Sequence, residues 1–77
     1  MQYEFKNFQE KHLDAISKNI KKLRIARGYS QELLAEKVDC SREFINRVEN
    51  RREDVSLKML FKLAYAFEVD IEIFFKN

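Results

Sequence analysis

From Leu13 onward apolar residues recur in steps of three and four: Leu13, Ile16, Ile20, Leu23 and then Ala26 or Arg27. Steps of that size place side chains on one face of an α-helix. Gly28 can supply the positive φ that ends a helix, so the spacing predicts a first helix over residues 13–27. Ser30 is placed as the N-cap of a second helix over 31–38, with Leu34, Ala35 and Val38 facing inward. Asp39-Cys40-Ser41 breaks the pattern, and Ser41 caps a third helix over 42–50 that buries Ile45, Val48 and Phe44. After a polar loop over 50–54, Ser56 caps a fourth helix whose inner stripe is Leu57, Leu60, Leu63, Ala64 and Phe67. Asp70 caps a short fifth helix, Ile71–Phe75. Residues 1–12, with Tyr3, Phe5 and Phe8, read as an N-terminal arm, or an extension of the first helix, that docks by its aromatics. Residues 13–77 form the domain.

Composition narrows the class. Seventy-seven residues make one small domain, which hides only about 60% of the surface its unfolded chain exposes. One Gly and no Pro argue against a β-rich fold, which needs glycine at its turns, and favour an all-α, compact five-helix bundle. Fifteen cations against 13 anions are too balanced for a disordered tail or a polycation. Cys40 is the one cysteine and His12 the one histidine, so neither a disulfide nor a zinc site has its ligands. Glu32, Glu36, Asp39 and Glu43 are helix-surface carboxylates with no implied pocket, and Ser41 has no base nearby. The chain therefore reads as non-enzymatic, without metal or cofactor. No apolar run reaches the length of a membrane span and no signal-peptide pattern opens the chain, so a cytoplasmic location is expected.

Residues 31–50 hold two short helices separated by a three-residue turn, the dimensions of a helix-turn-helix. Ala35 is small where the helices cross. Arg42, Glu43, Asn46 and Arg47 fall on one outer stripe of the second helix. Arg and Asn on such a stripe can make bidentate contacts with guanine and adenine edges in a major groove, and Glu can accept from cytosine. A merely solvated face carries the same residue types, and charge alone does not separate the two readings.

The run from Ile16 to Phe75 resembles the lambda-repressor-like, or Xre/Cro-type, helix-turn-helix family. The residues that carry the likeness are Leu23-Arg24, Gly28, Ser30-Gln31, Leu34-Ala35, Ser41, Ile45, Val48, Glu49 and the closing Val69-Asp70 with Phe74. The start of the third helix and the Phe-Phe ending are similar to the controller proteins of restriction–modification systems. The resemblance implies a DNA-binding fold in which Arg42, Glu43, Asn46 and Arg47 meet bases. Gln31 matches a phosphate-contacting glutamine, and Ser41, Lys37, Arg51, Arg52 and Lys58 are further phosphate candidates. Arg24 and Glu49 match a buried ion pair tying the first helix to the third. Two positions depart from the pattern. Asp39 stands where the family has Gly, a place asking for left-handed backbone that Asp tolerates. Leu33 stands at a usually polar position and is assigned to the N-terminal aromatics.

Apolar residues exceed what one core can use. Phe61, Tyr65, Ile73 and Phe75 lie off the inner stripes, and exposed apolar patches mark interfaces. They are the expected surface of a homodimer, the commonest symmetric assembly, unless the N-terminal arm covers them. A two-fold pair sets recognition helices about 34 Å apart on a pseudo-palindromic operator. The leading reading is thus a sequence-specific transcriptional regulator on double-stranded DNA. The second is an antitoxin-like module that binds a toxin-like partner protein as well as DNA. Activation would require contact with RNA polymerase, which nothing in the sequence decides.

Overall fold

The computed structural model describes residues 2–77, with side chains from Glu4 onward. Four α-helices follow one another: α1 (Gln2–Ala26), α2 (Gln31–Lys37), α3 (Arg42–Glu49) and α4 (Leu57–Phe67). A 3₁₀ helix, Ile71–Phe75, closes the chain.

Short helices need defined ends, and the sequence supplies both kinds. Ser30, Ser41 and Ser56 each sit in extended backbone before α2, α3 and α4, and each Oγ accepts from the third helical N–H at 3.0 Å. Substituting such a cap costs about 1 kcal/mol. The stops share one geometry. After α1, Gly28 at φ 73° donates to the Ile25 carbonyl while Tyr29 donates to that of Arg24. After α2, Asp39 and Cys40 donate to Glu36 and Ala35; after α3, Arg51 and Arg52 donate to Val48 and Arg47. After α4, Glu68 and Val69 donate to Tyr65 and Ala64. This paired bonding around a left-handed residue is the Schellman stop. Only the first uses glycine; Asp39, Arg51 and Glu68 adopt φ of 59°, 60° and 59°. That is how a chain with one Gly and no Pro turns four times.

The core forms where α1, the α2–α3 pair, α4 and the 3₁₀ helix meet. Ile20, Leu34, Ala35, Val38, Ile45, Val48, Leu60, Leu63, Ala64, Phe67 and Phe74 are buried together. Phe67 and Phe74 pack with ring centroids 6.3 Å apart, and Tyr29 stacks on Phe67 at 6.1 Å. Asn19 of α1 holds the C-terminal segment, donating to the carbonyls of Phe74 at 3.0 Å and Lys76 at 2.6 Å. Arg27 donates to the Phe67 carbonyl at 2.7 Å, satisfying the end of α4.

Several expectations change. Of the two readings of the N-terminal segment, the helical extension holds and the separate arm does not: α1 runs 25 residues. At 1.5 Å per residue it spans ~37 Å and sets the long dimension of a 40 × 24 × 21 Å molecule. The arm does not dock by its aromatics: Phe5 and Phe8 are 63% and 62% exposed, because α1 rises past the rest of the bundle. Phe8 meets the edge of His12 at 4.5 Å, Leu33 stays exposed, and the Tyr3 side chain lies outside the described residues. Leu57 does not belong to the inner stripe; on the first turn of α4 it points outward, 62% exposed. The fifth helix is 3₁₀, and Asp70 lends it no side-chain cap, its backbone carbonyl accepting from Ile73 instead.

Candidate nucleic-acid interface

The inner face of α3 anchors it to the core through Ile45 and Val48, which are 1% and 2% exposed. What remains outward is set by helical geometry. Arg42, Glu43, Asn46 and Arg47 line one open depression, so the four residues expected to meet bases do share a surface. Arg42 Nη2 lies 3.9 Å from Glu43. Arg47 donates to Glu53 at 3.3 Å and sits over the Phe44 ring. These are loose, solvated pairs that leave both guanidinium groups able to turn toward another acceptor.

Beneath this face lies the ion pair. Arg24 reaches from α1 to Glu49, with Nε–Oε2 at 2.7 Å and Nη2–Oε1 at 3.1 Å. The Glu49 side chain is 2% exposed and that of Arg24 13%. The remaining arm of the guanidinium donates to the Tyr29 carbonyl at 2.8 Å. Bidentate geometry of this kind is the strong form of the pair, and it fixes the end of α3 against α1. Gln31, at the start of α2, donates Nε2 to Glu49 Oε1 at 3.0 Å and accepts from Asn46 Nδ2 at 3.4 Å.

The phosphate candidates scatter. Ser41 lies at the rim, its Oγ accepting from Phe44 while its own O–H remains a donor. Arg52, in the loop after α3, and Lys58, in the first turn of α4, are both exposed. Arg51 is a correction. Its guanidinium binds Asp14 at 2.8 Å, Glu10 at 2.8 Å and Asp54 at 3.1 Å. Asp14 and then Glu10 raise its already high pKa, and the two bonds clasp the N-terminal half of α1, so the group does not stand free for a phosphate. Lys37 stands apart from the α3 face. Its ammonium lies over the Tyr29 ring at 4.9 Å, and it lines a depression with Tyr65, Asp70 and Ile73 that contains no α3 residue.

Cys40 is half-buried, and burial, then the Asp39 carboxylate, push its thiol up against an opposing effect of Lys62; a thiol held protonated is a poor nucleophile. Among the described residues no three His, Cys, Asp or Glu side chains converge as a metal site, and no helix is long and apolar enough to cross a membrane.

The helix-turn-helix family HTH_3 matches residues 20–74. The chain belongs to this family. Its members are DNA-binding regulators, and the chain is a regulator rather than an enzyme. It is 41% identical over 56 residues to an uncharacterised HTH-type transcriptional regulator of Methanocaldococcus jannaschii, spanning 73% of this chain and 85% of that one. The fold is similar to the restriction–modification controller protein C.AhdI of Aeromonas hydrophila, with TM-score 0.77 and 33% identity over 82% of this chain and 96% of the other. It is also similar to a hypothetical transcription factor, NHTF, from Neisseria, with TM-score 0.80 and 26% identity over 86% and 76%. The first 19 residues lie outside the family match, and they contain the α1 overhang and both carboxylates of α1 that hold Arg51.

The apolar surplus is on the surface as expected. Phe61, Tyr65 and Phe75 are 54%, 88% and 43% exposed and Ile73 is half-buried. The α1 overhang does not cover them. Leu57, Phe61 and Tyr65 recur every four residues on α4, one helical stripe. Leu57 is thus a surface residue that reading it as part of the core stripe missed, although the four-residue spacing was there to find.

Proposed function

We propose that this helix-turn-helix regulator binds a pseudo-palindromic operator as a homodimer, with α3 in the major groove of each half-site. The observation that carries the reading is the outer face of α3: Arg42, Glu43, Asn46 and Arg47 share one open surface, while the Arg24–Glu49 pair holds the helix behind it rigid. Arg42 and Arg47 suit guanine O6/N7, Asn46 suits adenine and Glu43 suits cytosine N4. Ser41, Arg52 and Lys58 serve as phosphate ligands. Leu57, Phe61, Tyr65, Ile73 and Phe75 form the dimer surface, which spaces the two recognition helices about one DNA turn apart. Function is occupancy and position on DNA, with no bond made or broken.

The test is titration of the pure protein against duplex from its own upstream region and against random duplex, over a series of salt concentrations. Preference for the upstream duplex at every salt concentration is expected; equal affinity for both removes the specific-regulator reading. Light scattering at micromolar protein tests the dimer, and a monomer there removes the interface assignment.

A further inference from the structure

Two stripes of large side chains on this protein lie open to solvent. One is on α4, where Leu57, Phe61 and Tyr65 recur every four residues. The other is on the α1 overhang, where Phe5, Phe8 and half-buried His12 follow at steps of three and four. At 1.5 Å per residue the α4 stripe runs about 12 Å and the overhang stripe about 10 Å. Lengths so close let the two helices lie side by side, with axes about 8–10 Å apart. Taking about 200 Å² per side chain, Leu57, Phe61, Tyr65 and Phe75 expose roughly 500 Å², and Phe5 with Phe8 a further 250 Å² or so. The α4 surface alone is the size of the largest apolar patch on an ordinary monomer, roughly 300–600 Å². With the overhang added, the total approaches the about 800 Å² that each partner gives to a standard interface.

The overhang is braced from the side that leaves its rings free. Arg51 bonds Glu10 and Asp14. At 3.6 residues per turn these carboxylates lie roughly opposite Phe5 and Phe8 around the helix. Both rings stay exposed, and Phe8 meets the edge of His12 on its own helix. Symmetry then limits what can cover the two stripes. In a two-fold dimer a patch that meets its own copy has to straddle the axis. Two separate patches are both buried about one axis when each meets the other, residue i touching j and j touching i. We propose that the α1 overhang of each protomer lies along the α4 stripe of its partner, with Phe5 and Phe8 against the partner's Leu57, Phe61 and Tyr65. One dimer then contains the same junction twice. This rests on the homodimer reading above and deepens it: it gives the first turns of α1, which lie outside the family match, a part in assembly.

The experiment uses the full chain and two variants, Phe5→Ala with Phe8→Ala and Phe61→Ala with Tyr65→Ala. All four positions are exposed and Ala is the best helix former, so both variants should keep the far-ultraviolet circular dichroism of wild type. Sedimentation equilibrium is run on each protein alone and on a 1:1 mixture of the variants at the same total concentration. Each variant alone loses both junctions, and its dimer Kd should rise at least about 100-fold. The mixed dimer keeps one whole junction, because the intact overhang of one variant meets the intact α4 of the other. It should therefore form about tenfold more tightly than either variant alone, and the mixture should hold more dimer than both. A mixture lying between the two variants means that each stripe meets its own copy, and overturns the inference. A Phe5→Ala, Phe8→Ala protein that dimerises like wild type overturns it too; loss of dimer by Phe61→Ala with Tyr65→Ala in that case leaves the α4 interface standing. Wild type that is monomeric at micromolar concentration removes the homodimer reading itself.

Discussion

Replacing Glu49 by Leu should bring the fold close to its limit of stability. The substitution leaves the Arg24 guanidinium, 13% exposed, with the Tyr29 carbonyl at 2.8 Å as its one remaining partner in that cluster. Stranding a buried charge costs about 3–5 kcal/mol. A domain of this length has about 4–12 kcal/mol in total. At about 4–8 °C per kcal/mol, the melting temperature should fall by about 12 °C at the least. Arg24→Met strands the carboxylate with Gln31 alone and should cost a similar amount. The double variant is the decisive member. Apolar groups of similar size in place of a buried pair are often neutral, and the half-buried Gln31 can turn to water. Its loss should therefore stay within about 2 kcal/mol of wild type, the freed Tyr29 carbonyl being the main cost. Denaturant unfolding of all four proteins at one fixed concentration, which holds any dimer contribution constant, gives the coupling energy. Single losses under about 1 kcal/mol, or a double equal to their sum, would refute the view of this pair as a buried, mutually dependent unit.

Arg51→Gly removes a strained φ of 60° but also the clasp on Glu10, Asp14 and Asp54. Since exposed ion pairs weaken with salt, the variant should melt below wild type in low salt and at or above it in about 1 M salt; a loss that does not change with salt would contradict this. Glu68 takes φ 59° at the end of α4 and its side chain is exposed, so Glu68→Gly should raise stability by roughly 0.5–1 kcal/mol, read from the urea midpoint. Cys40, its thiol pushed up by burial and by Asp39, carries less thiolate at pH 8 than an ordinary thiol, so iodoacetamide should label it more slowly in the folded protein than in urea. Equal rates would show that the site does not hold the proton.

The starts of the helices were legible because a cap is a local event. Ser30, Ser41 and Ser56 each bond a backbone N–H three residues away, within the same short window that announces them. The ends of α3 and α4 were placed to within a residue or two, but the left-handed backbone at Arg51 and Glu68 was not foreseen, since neither residue type signals such a turn; that at Gly28 and Asp39 could be anticipated. In α1, Phe5, Phe8 and His12 continue the stripe of Ala15, Ile16 and Asn19 at helical spacing, yet an aromatic pattern with nothing to pack on resembles an arm. Arg51 looked like a basic loop residue because its partners Asp14 and Glu10 lie 37 and 41 positions away. The outer stripe of α3 was readable from spacing alone. The bonds that orient it, over separations of 18 and 15 residues, exist only once α2 lies across α3.

The left-handed stops at Asp39, Arg51 and Glu68 also bear on how this chain can vary. Each holds a non-glycine residue at a φ that costs about 1 kcal/mol, and none of the three lines the depression on α3. Thermal tolerance and the makeup of the α3 face are therefore set at separate positions. A lineage could gain heat resistance by glycine replacement at Asp39 or Glu68 while the outer face of α3 stayed the same. Conversely, a destabilising change on α3 that redirected recognition could be offset at a helix end, without a second change at the DNA.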